Sequence, residues 1–174
     1  MRGYRKRPGT QGFSVSLVGA SLFFIISLFL FVSYKNSAYQ QAKKEIYSLY
    51  TANRAFDLDE VYQDGLTAIY AKEYGKTATE AGCEALEQTG LPYVLLLSQF
   101  SAPVERVYVT NCQLSETGRE KKARTYDYTV SVRFCLEKGD EVLAPEKTMD
   151  FHGTVVMKKK GWFRWLLDGV TLGE

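Results

Sequence analysis

Few residues in this sequence have types and spacing that could carry out chemistry. His152 is the single histidine of the chain, and a histidine can act as a general base or as a metal ligand. It has no second histidine or cysteine at the spacing that a zinc site requires. The surrounding alternation places it with Asp150 and Thr154, opposite Phe151, so we expect a partly exposed histidine on a strand.

Glycine motifs that bind phosphate or support a nucleophile are absent from the sequence. The glycines are scattered, no phosphate-binding loop precedes a predicted helix, and no Gly-x-Ser-x-Gly elbow occurs. The sequence therefore predicts no catalytic residues, no bound cofactor and no metal, and we interpret the protein as not an enzyme.

Three cysteines, Cys83, Cys112 and Cys135, leave at least one thiol unpaired if any two of them form a bridge. A hairpin that closes near residue 120 pairs Cys112 with about residue 128 and places Cys135 near residue 105. That separation along the ladder exceeds the reach of a disulfide. We expect no intramolecular bridge, and an intermolecular bond through Cys135 remains the alternative.

A run of lysines followed by aromatic residues is the conspicuous candidate for a surface site. Its residues are Lys158, Lys159, Lys160, Trp162, Phe163 and Trp165. As an interface, it would contact lipid headgroups or an acidic partner; the alternative is a solvated turn flanked by core aromatics. Strand alternation puts Trp162 and Phe163 on opposite faces, so we expect Phe163 or Trp165 to be exposed.

The segment 13–34 predicts a helix that crosses a lipid bilayer. No side chain from Pro8 to Tyr34 is charged, and a helix over 13–34 reaches about 33 Å, against a hydrocarbon core of about 30 Å. Its apolar residues surround the helix, as lipid contact requires. The predicted anchor residues are Phe13, Leu17, Phe23, Phe24, Ile25, Ile26, Leu28, Phe29, Leu30, Phe31, Val32 and Tyr34.

A cleaved signal peptide is the alternative interpretation of this segment. The apolar run is longer than the usual apolar region of a signal peptide, and Asn36-Ser37-Ala38 is a poor cleavage site. No cysteine follows the run, which argues against lipoprotein processing. We therefore expect an uncleaved anchor.

Charge is distributed unevenly along the chain. Lys and Arg number 22 against 20 Asp and Glu, but Arg2, Arg5, Lys6 and Arg7 precede the apolar segment, so the remainder is slightly acidic. A nucleic-acid binder would carry a basic surplus on its folded part, so we predict no nucleic-acid partner. The positive-inside rule places the N-terminus in the cytoplasm and the C-terminal part outside it.

These features divide the chain into four parts and predict a cell (plasma or inner) membrane location. We predict a basic cytoplasmic tail over 1–12, a transmembrane helix over 13–34, a stalk or first helix over 35–56, and an extracytoplasmic domain over 57–174.

Three helices are predicted after the membrane segment. Helical spacing of apolar residues predicts one helix over 36–55. A capping box over Asp57 to Glu60 begins a second helix, which Gly75 ends. The pattern Thr77 to Glu80 repeats that capping logic, and Gly90 ends the third helix after Thr89.

The second half of the chain changes to a period of two, which predicts antiparallel strands. Between the two halves, Leu91 to Phe100 fits a helix, which we favour, or a buried strand. Tyr126 to Leu136 is the clearest strand, with alternate apolar residues. We predict strands over 104–114, 126–136, 147–158 and 162–172, with charged loops over 115–125 and 138–146. Helices followed by a strand meander predict the α+β class.

This order resembles the nuclear transport factor 2-like (cystatin-like) superfold over about residues 38–172. The closing stretches Lys160-Gly161-Trp162 and Leu167-Asp168-Gly169-Val170 look like the final strands of such domains. The resemblance implies two or three helices packed on a curved antiparallel sheet of about four strands. Some relatives, such as ketosteroid isomerase, use acidic and tyrosine residues inside the cone, but Tyr126 and Tyr128 alternate here as core residues do.

The order of tail, membrane helix and outer domain is also similar to the scaffold subunit of type IV secretion and conjugation systems. That resemblance implies a non-enzymatic protein that binds neighbouring membrane or envelope proteins, the bilayer and a second copy of itself. It assigns no role to any residue. The alternative is a membrane-tethered small-ligand-binding or enzymatic cone domain. A deep polar pocket with two convergent titratable groups would favour that alternative, and a filled cone with an exposed apolar patch would favour the scaffold.

Overall fold

The computed structural model describes residues 11–51, 65–91, 104–136, 146–161 and 164–173. The chain divides into two units, one ending at Lys35 and the other beginning at Asn36. The first unit contains the helix α1 (Gln11–Lys35). The second unit contains all other described helices and strands.

The helix α1 is apolar and exposed. Among the described residues it is the one helix long and apolar enough to cross a membrane, over Val18–Lys35, and none of that window is buried. Phe23 is 74% exposed and Phe24 is 68% exposed. The predicted apolar helix near the N-terminus is therefore confirmed, and its properties are those that a membrane anchor and a signal sequence share.

The second unit begins with three helices: α2 (Ala38–Thr51), α3 (Leu66–Tyr74) and α4 (Glu80–Thr89). The helix α2 starts after Ser37, whose hydroxyl accepts a hydrogen bond from the Gln40 amide at 3.3 Å. Gly75 follows the last residue of α3, and Gly90 ends α4 in the left-handed conformation, with φ of 68°. Both predicted helix ends are confirmed.

The predicted start of the third helix at Thr77 is wrong, because the N-cap of α4 is Thr79. Thr79 Oγ1 accepts from the Gly82 amide at 3.1 Å. Two residues earlier, the Thr77 carbonyl accepts from the Leu167 amide at 2.9 Å, and the Thr79 amide donates to the Leu167 carbonyl at 2.8 Å. Residues 77–79 therefore pair with a strand, and the helix can begin only after that pairing ends.

Four strands follow the helices: β1 (Val104–Arg119), β2 (Ala123–Leu136), β3 (Glu146–Lys159) and β4 (Trp165–Leu172). They form one open sheet in the order β1-β2-β3-β4, and each neighbouring pair is antiparallel. The predicted α+β class, with helices before a strand meander, is confirmed.

The predicted charged loop over 115–125 is wrong, since most of it is paired strand. Glu116 lies opposite Tyr126 and Arg119 lies opposite Arg124, which leaves residues 120–122 as the turn. The polar composition indicated a loop, but strands tolerate charged residues whose side chains reach solvent. Here Arg119 Nε lies 2.6 Å from Glu116 Oε1 on the exposed surface.

Several predictions lie outside the described residues. These are the capping box over 57–60, the helix-or-strand segment over 92–100, most of the loop over 138–146, and positions 162–163 at the start of the predicted fourth strand. Within the described residues, β3 begins at Glu146 and β4 begins at Trp165.

The core lies between the sheet and α2, and sequence alternation located it correctly. Along β2, every second residue from Tyr126 to Phe134 is buried. Four residues of the predicted face of α2 are also buried: Ala42, Ile46, Leu49 and Tyr50. From β3, Val155 and Met157 are buried, and Met149 and Phe151 pack partly against the same cluster.

One tyrosine connects three strands and a helix through this core. Tyr128 on β2 lies opposite Gly153 on β3, and its hydroxyl donates to the Thr171 carbonyl on β4 at 3.2 Å. The same hydroxyl lies 3.1 Å from the Tyr50 hydroxyl on α2. A Cβ atom at position 153 would lie 2.7 Å from Tyr128 Oη and would overlap the Thr171 carbonyl. Gly153 therefore provides the space through which Tyr128 reaches β4.

We predict that Gly153→Ala destabilises the folded unit. The added methyl group would displace Tyr128 or β4, at a cost of about 1–3 kcal/mol in free energy of unfolding. Chemical denaturation of the full chain in detergent, followed by near-UV circular dichroism, measures this change. The matched control is Gly169→Ala on β4, where the nearest atoms lie at 3.8 Å. Equal stabilities of the two variants would contradict the conclusion that Tyr128 reaches β4 across Gly153.

Candidate functional site

Basic side chains from two hairpin turns gather at one end of the sheet. The turn over 120–122 joins β1 to β2, and the turn after Lys159 joins β3 to β4. The Lys159 amide donates to the Lys122 carbonyl at 2.7 Å, so the turns are adjacent. We call this surface the basic end; its residues are Lys121, Lys122, Arg124, Lys158, Lys159, Lys160, Arg164 and Trp165.

Acidic residues neutralise only part of this charge. Lys158 Nζ lies 3.3 Å from Asp168 Oδ1, and Arg124 Nε lies 3.9 Å from Glu116 Oε1. The hydrogen bond from Arg119 holds the pKa of the Glu116 carboxyl below its usual range, so Glu116 remains charged at neutral pH.

Four lysines of the basic end stay without a carboxylate partner in the part of the chain that the structure describes. These are Lys121, Lys122, Lys159 and Lys160. The side chains of Lys159 and Lys160 are exposed, as are those of Lys121 and Lys122. Their charges therefore face solvent and attract anions.

The indole ring of Trp165 packs against two cationic side chains of the basic end, Arg124 and Lys159. Its ring centroid lies 5.5 Å from Arg124 Cζ and 5.9 Å from Lys159 Nζ, distances at which cations are attracted to an indole. Trp165 is half-buried. Trp162 and Phe163 lie outside the described residues, so the exposure of Phe163 stays a prediction.

A cleft of about 580 Å³ opens between the two turns. It is lined by Lys121, Lys122, Lys159 and Gly161, and Gly161 has a φ of 79° that only glycine adopts easily. A second cavity of about 440 Å³ adjoins Lys158, Lys159, Lys160 and the start of α4. The chemistry offered at the basic end is recognition of anions.

The sequence identified half of this surface and missed the other half. The sequence predicts the run from Lys158 to Lys160 and Trp165 as an interface, whereas Lys121, Lys122 and Arg124 lie in the stretch that it predicts as a charged loop over 115–125. A hairpin turn near residue 120 is predictable from the sequence, but its position beside Lys159 depends on the register of β2 on β3, in which Ala123 lies opposite Lys158.

The histidine and the aspartates of β3 and β4 do not form a catalytic or metal-binding cluster among the described residues. His152 is exposed and its Nδ1 lies 3.1 Å from Thr129 Oγ1, which confirms the predicted strand position. Among the described residues, no group of three His, Cys, Asp or Glu side chains could hold a metal ion. Asp150 is exposed on β3, while Asp168 accepts from Thr79 Oγ1 at 2.7 Å on β4.

None of the three cysteines forms a disulfide. Cys112 lies opposite Val130, and Cys135 lies opposite Arg106, which confirms that the two are far apart along the ladder. Burial raises the pKa of the Cys83 thiol and of the Cys112 thiol. Both remain protonated at neutral pH and are poor nucleophiles.

The core tyrosines are buried, as their alternation predicts. Tyr126 and Tyr128 are each 2% exposed. Burial raises the pKa of Tyr50 and of Tyr128, so both hydroxyls stay protonated at neutral pH. Each already has a hydrogen-bond partner in the protein, and neither presents an anionic base.

Within the described residues, two features are candidates for function: the exposed apolar helix α1 and the basic end. On α1, the predicted anchor residues from Phe23 to Phe31 are all exposed. Comparison of the chain with protein-family models, with curated proteins and with solved structures found no match.

We predict a measurable coupling between Arg124 and Trp165. Stabilities of Arg124→Gln, Trp165→Phe and the double variant form a double-mutant cycle, and a cation–indole contact should give about 0.5–1 kcal/mol. A matched cycle combines Trp165→Phe with Lys147→Gln, near the other end of β3, and should give no coupling. If both cycles gave the same value, the packing of the basic end described above would be wrong.

Proposed function

We propose that this protein is a membrane-anchored, extracytoplasmic subunit that binds other proteins as a scaffold. In this proposal α1 crosses the bilayer, residues 1–12 lie in the cytoplasm, and the unit from Asn36 onward contacts other membrane or envelope proteins. The observation that carries the proposal is the apolar surface of α1, where Phe24 is 68% exposed and Leu30 is 62% exposed. Hydrocarbon is the solvent in which such a surface is stable.

The flanking residues favour an uncleaved anchor over a signal sequence. Arg2, Arg5, Lys6 and Arg7 precede the apolar segment, and the positive-inside rule then orients the helix. The helix continues to Lys35 without an interruption, and the residues after it lack a good cleavage site. A helix that is retained would tether the folded unit to the outer face of the membrane.

The aromatic packing between α2 and the sheet favours a protein that binds partners through its outer surface. It argues against a domain that binds a small ligand inside a cone. Tyr50 and Phe151 have ring centroids 5.2 Å apart, and Phe134 and Phe151 have centroids 6.4 Å apart. Tyr50 and Tyr128 meet through their hydroxyls in the same layer. Side chains thus fill this part of the face, where a ligand-binding cone would need an open polar pocket.

Within this class, we propose a subunit of a conjugation or type IV secretion-like envelope complex. The order of parts supports it: a short basic tail, one apolar helix, then an α+β unit with helices before a four-stranded meander. The expected partners are neighbouring membrane or envelope proteins and a second copy of this chain. No cofactor is required for such a role.

We predict that exposed tyrosines of the folded unit lie at or near protein contacts in the native membrane. Tyr47 on α2 is 49% exposed and Tyr108 on β1 is 45% exposed. A photo-crosslinking amino acid placed at either position, at native expression level, should give a discrete adduct with another membrane protein or with a second copy. The same cells kept in the dark are the control.

A lone monomer would contradict the scaffold. If the chain solubilised in mild detergent at native abundance migrates as a single copy, and neither Tyr47 nor Tyr108 gives an adduct, the proposed function is wrong. Mass spectrometry of any adduct then identifies the partner chain.

A further inference from the structure

We infer that the basic end docks on an anionic lipid surface and holds the folded unit against the bilayer. The inference deepens the proposed function and rests on its membrane anchor. It is carried by three observations: the place where the chain enters the folded unit, the charge of the two turns, and the aromatic side chain beneath them.

The chain enters the folded unit close to the basic end. Tyr39, in the first turn of α2, has its ring centroid 6.0 Å from that of Tyr126. Tyr126 lies three residues after Ala123, where β2 leaves its turn. Arg124 lies two residues before Tyr126 on β2, so the two side chains are on the same face of the sheet. The first turn of α2 and the basic turns are therefore neighbours.

The connection to α1 is short. Asn36 and Ser37 alone separate α1 from α2, and the steps from Lys35 to Ala38 span about 10 Å when extended. A bilayer that holds α1 would consequently have its surface within reach of the start of α2. The basic turns, which adjoin that start, are the part of the folded unit best placed to meet the headgroups.

The composition of the basic end fits a lipid surface. Lys121, Lys122, Lys159 and Lys160 are exposed without a described carboxylate partner, and clustered lysines are attracted to anionic headgroups. The 580 Å³ cleft between the turns gives a headgroup phosphate access to lysines from both hairpins. Trp165 is an amphipathic ring of the type that is enriched at membrane interfaces.

Tethering favours the bilayer over a free acidic protein as the occupant. A surface held a few residues from its target meets it at high effective concentration, so individually weak contacts are enough. A separate acidic protein would have to compete with that surface. Binding of an acidic protein in place of lipid is one outcome of the test below.

The test is a lysine footprint of the full chain in lipid nanodiscs. One set of discs contains phosphatidylcholine alone, and the other contains phosphatidylcholine with phosphatidylglycerol. A water-soluble acetylating reagent followed by mass spectrometry reports the reaction rate of each lysine. In the anionic discs, the rates of Lys121, Lys122, Lys159 and Lys160 should fall by roughly fivefold. High salt should restore them because it screens the attraction.

Lys147 provides the internal control. It lies near the opposite end of β3 from Lys159 and is exposed, so its rate should be the same in both discs. The double variant Lys121→Gln/Lys122→Gln should weaken the protection of Lys159 and Lys160, whereas Lys147→Gln should not. These positions are on the surface, so the variants should fold like the original chain.

The outcomes separate the docking from the anchor. Equal rates in the two kinds of disc, with the chain incorporated in both, would overturn the docking and leave the anchor intact. If the four lysines are protected from acetylation in native membranes but in neither kind of disc, the basic end binds an acidic protein. That result would also overturn the docking on lipid. Failure to incorporate into either disc would overturn the anchor, and the docking inference with it.

Discussion

Burying apolar surface stabilises a protein by about 25 cal/mol per Å², yet α1 leaves Phe23 74% exposed and Phe29 58% exposed. A single helix with this surface on all sides has no favourable state in water. Surrounding hydrocarbon removes the cost because the apolar side chains no longer face water, and hydrogen bonds within the helix satisfy the backbone polar groups along its middle. The proposed membrane location and the proposals for the folded unit all rest on this constraint.

The basic surface of the folded unit lies at one end of the sheet, and side chains fill the core between the sheet and α2. Tyr128 crosses β3 above Gly153 to bond the Thr171 carbonyl, and Tyr50 closes the same space from α2. In an antiparallel meander, the first and third turns lie at the same end of the sheet. Both turns here carry lysines, so the topology alone converts two separate sequence runs into one basic surface.

The sequence was informative where a single periodic signal decided the structure. Alternation along β2 and helical spacing along α2 identified their buried faces, and Gly90 marked the end of α4 because a left-handed residue is needed there. Long-range pairing was not predictable in the same way. Thr77 has the composition of a helix cap but pairs with Leu167, which is distant in sequence. The proximity of Lys122 and Lys159 depends on the register of β2 on β3, which the sequence does not reveal.

The retention and lipid contact of α1 are the central claim. The most direct measurement combines the intact mass of the protein from native membranes with alkaline carbonate extraction of those membranes. The account predicts that the isolated chain still contains residues 13–34 and that it remains in the membrane pellet. A mature chain that begins after Tyr34, or an intact chain released into the soluble fraction, would contradict it.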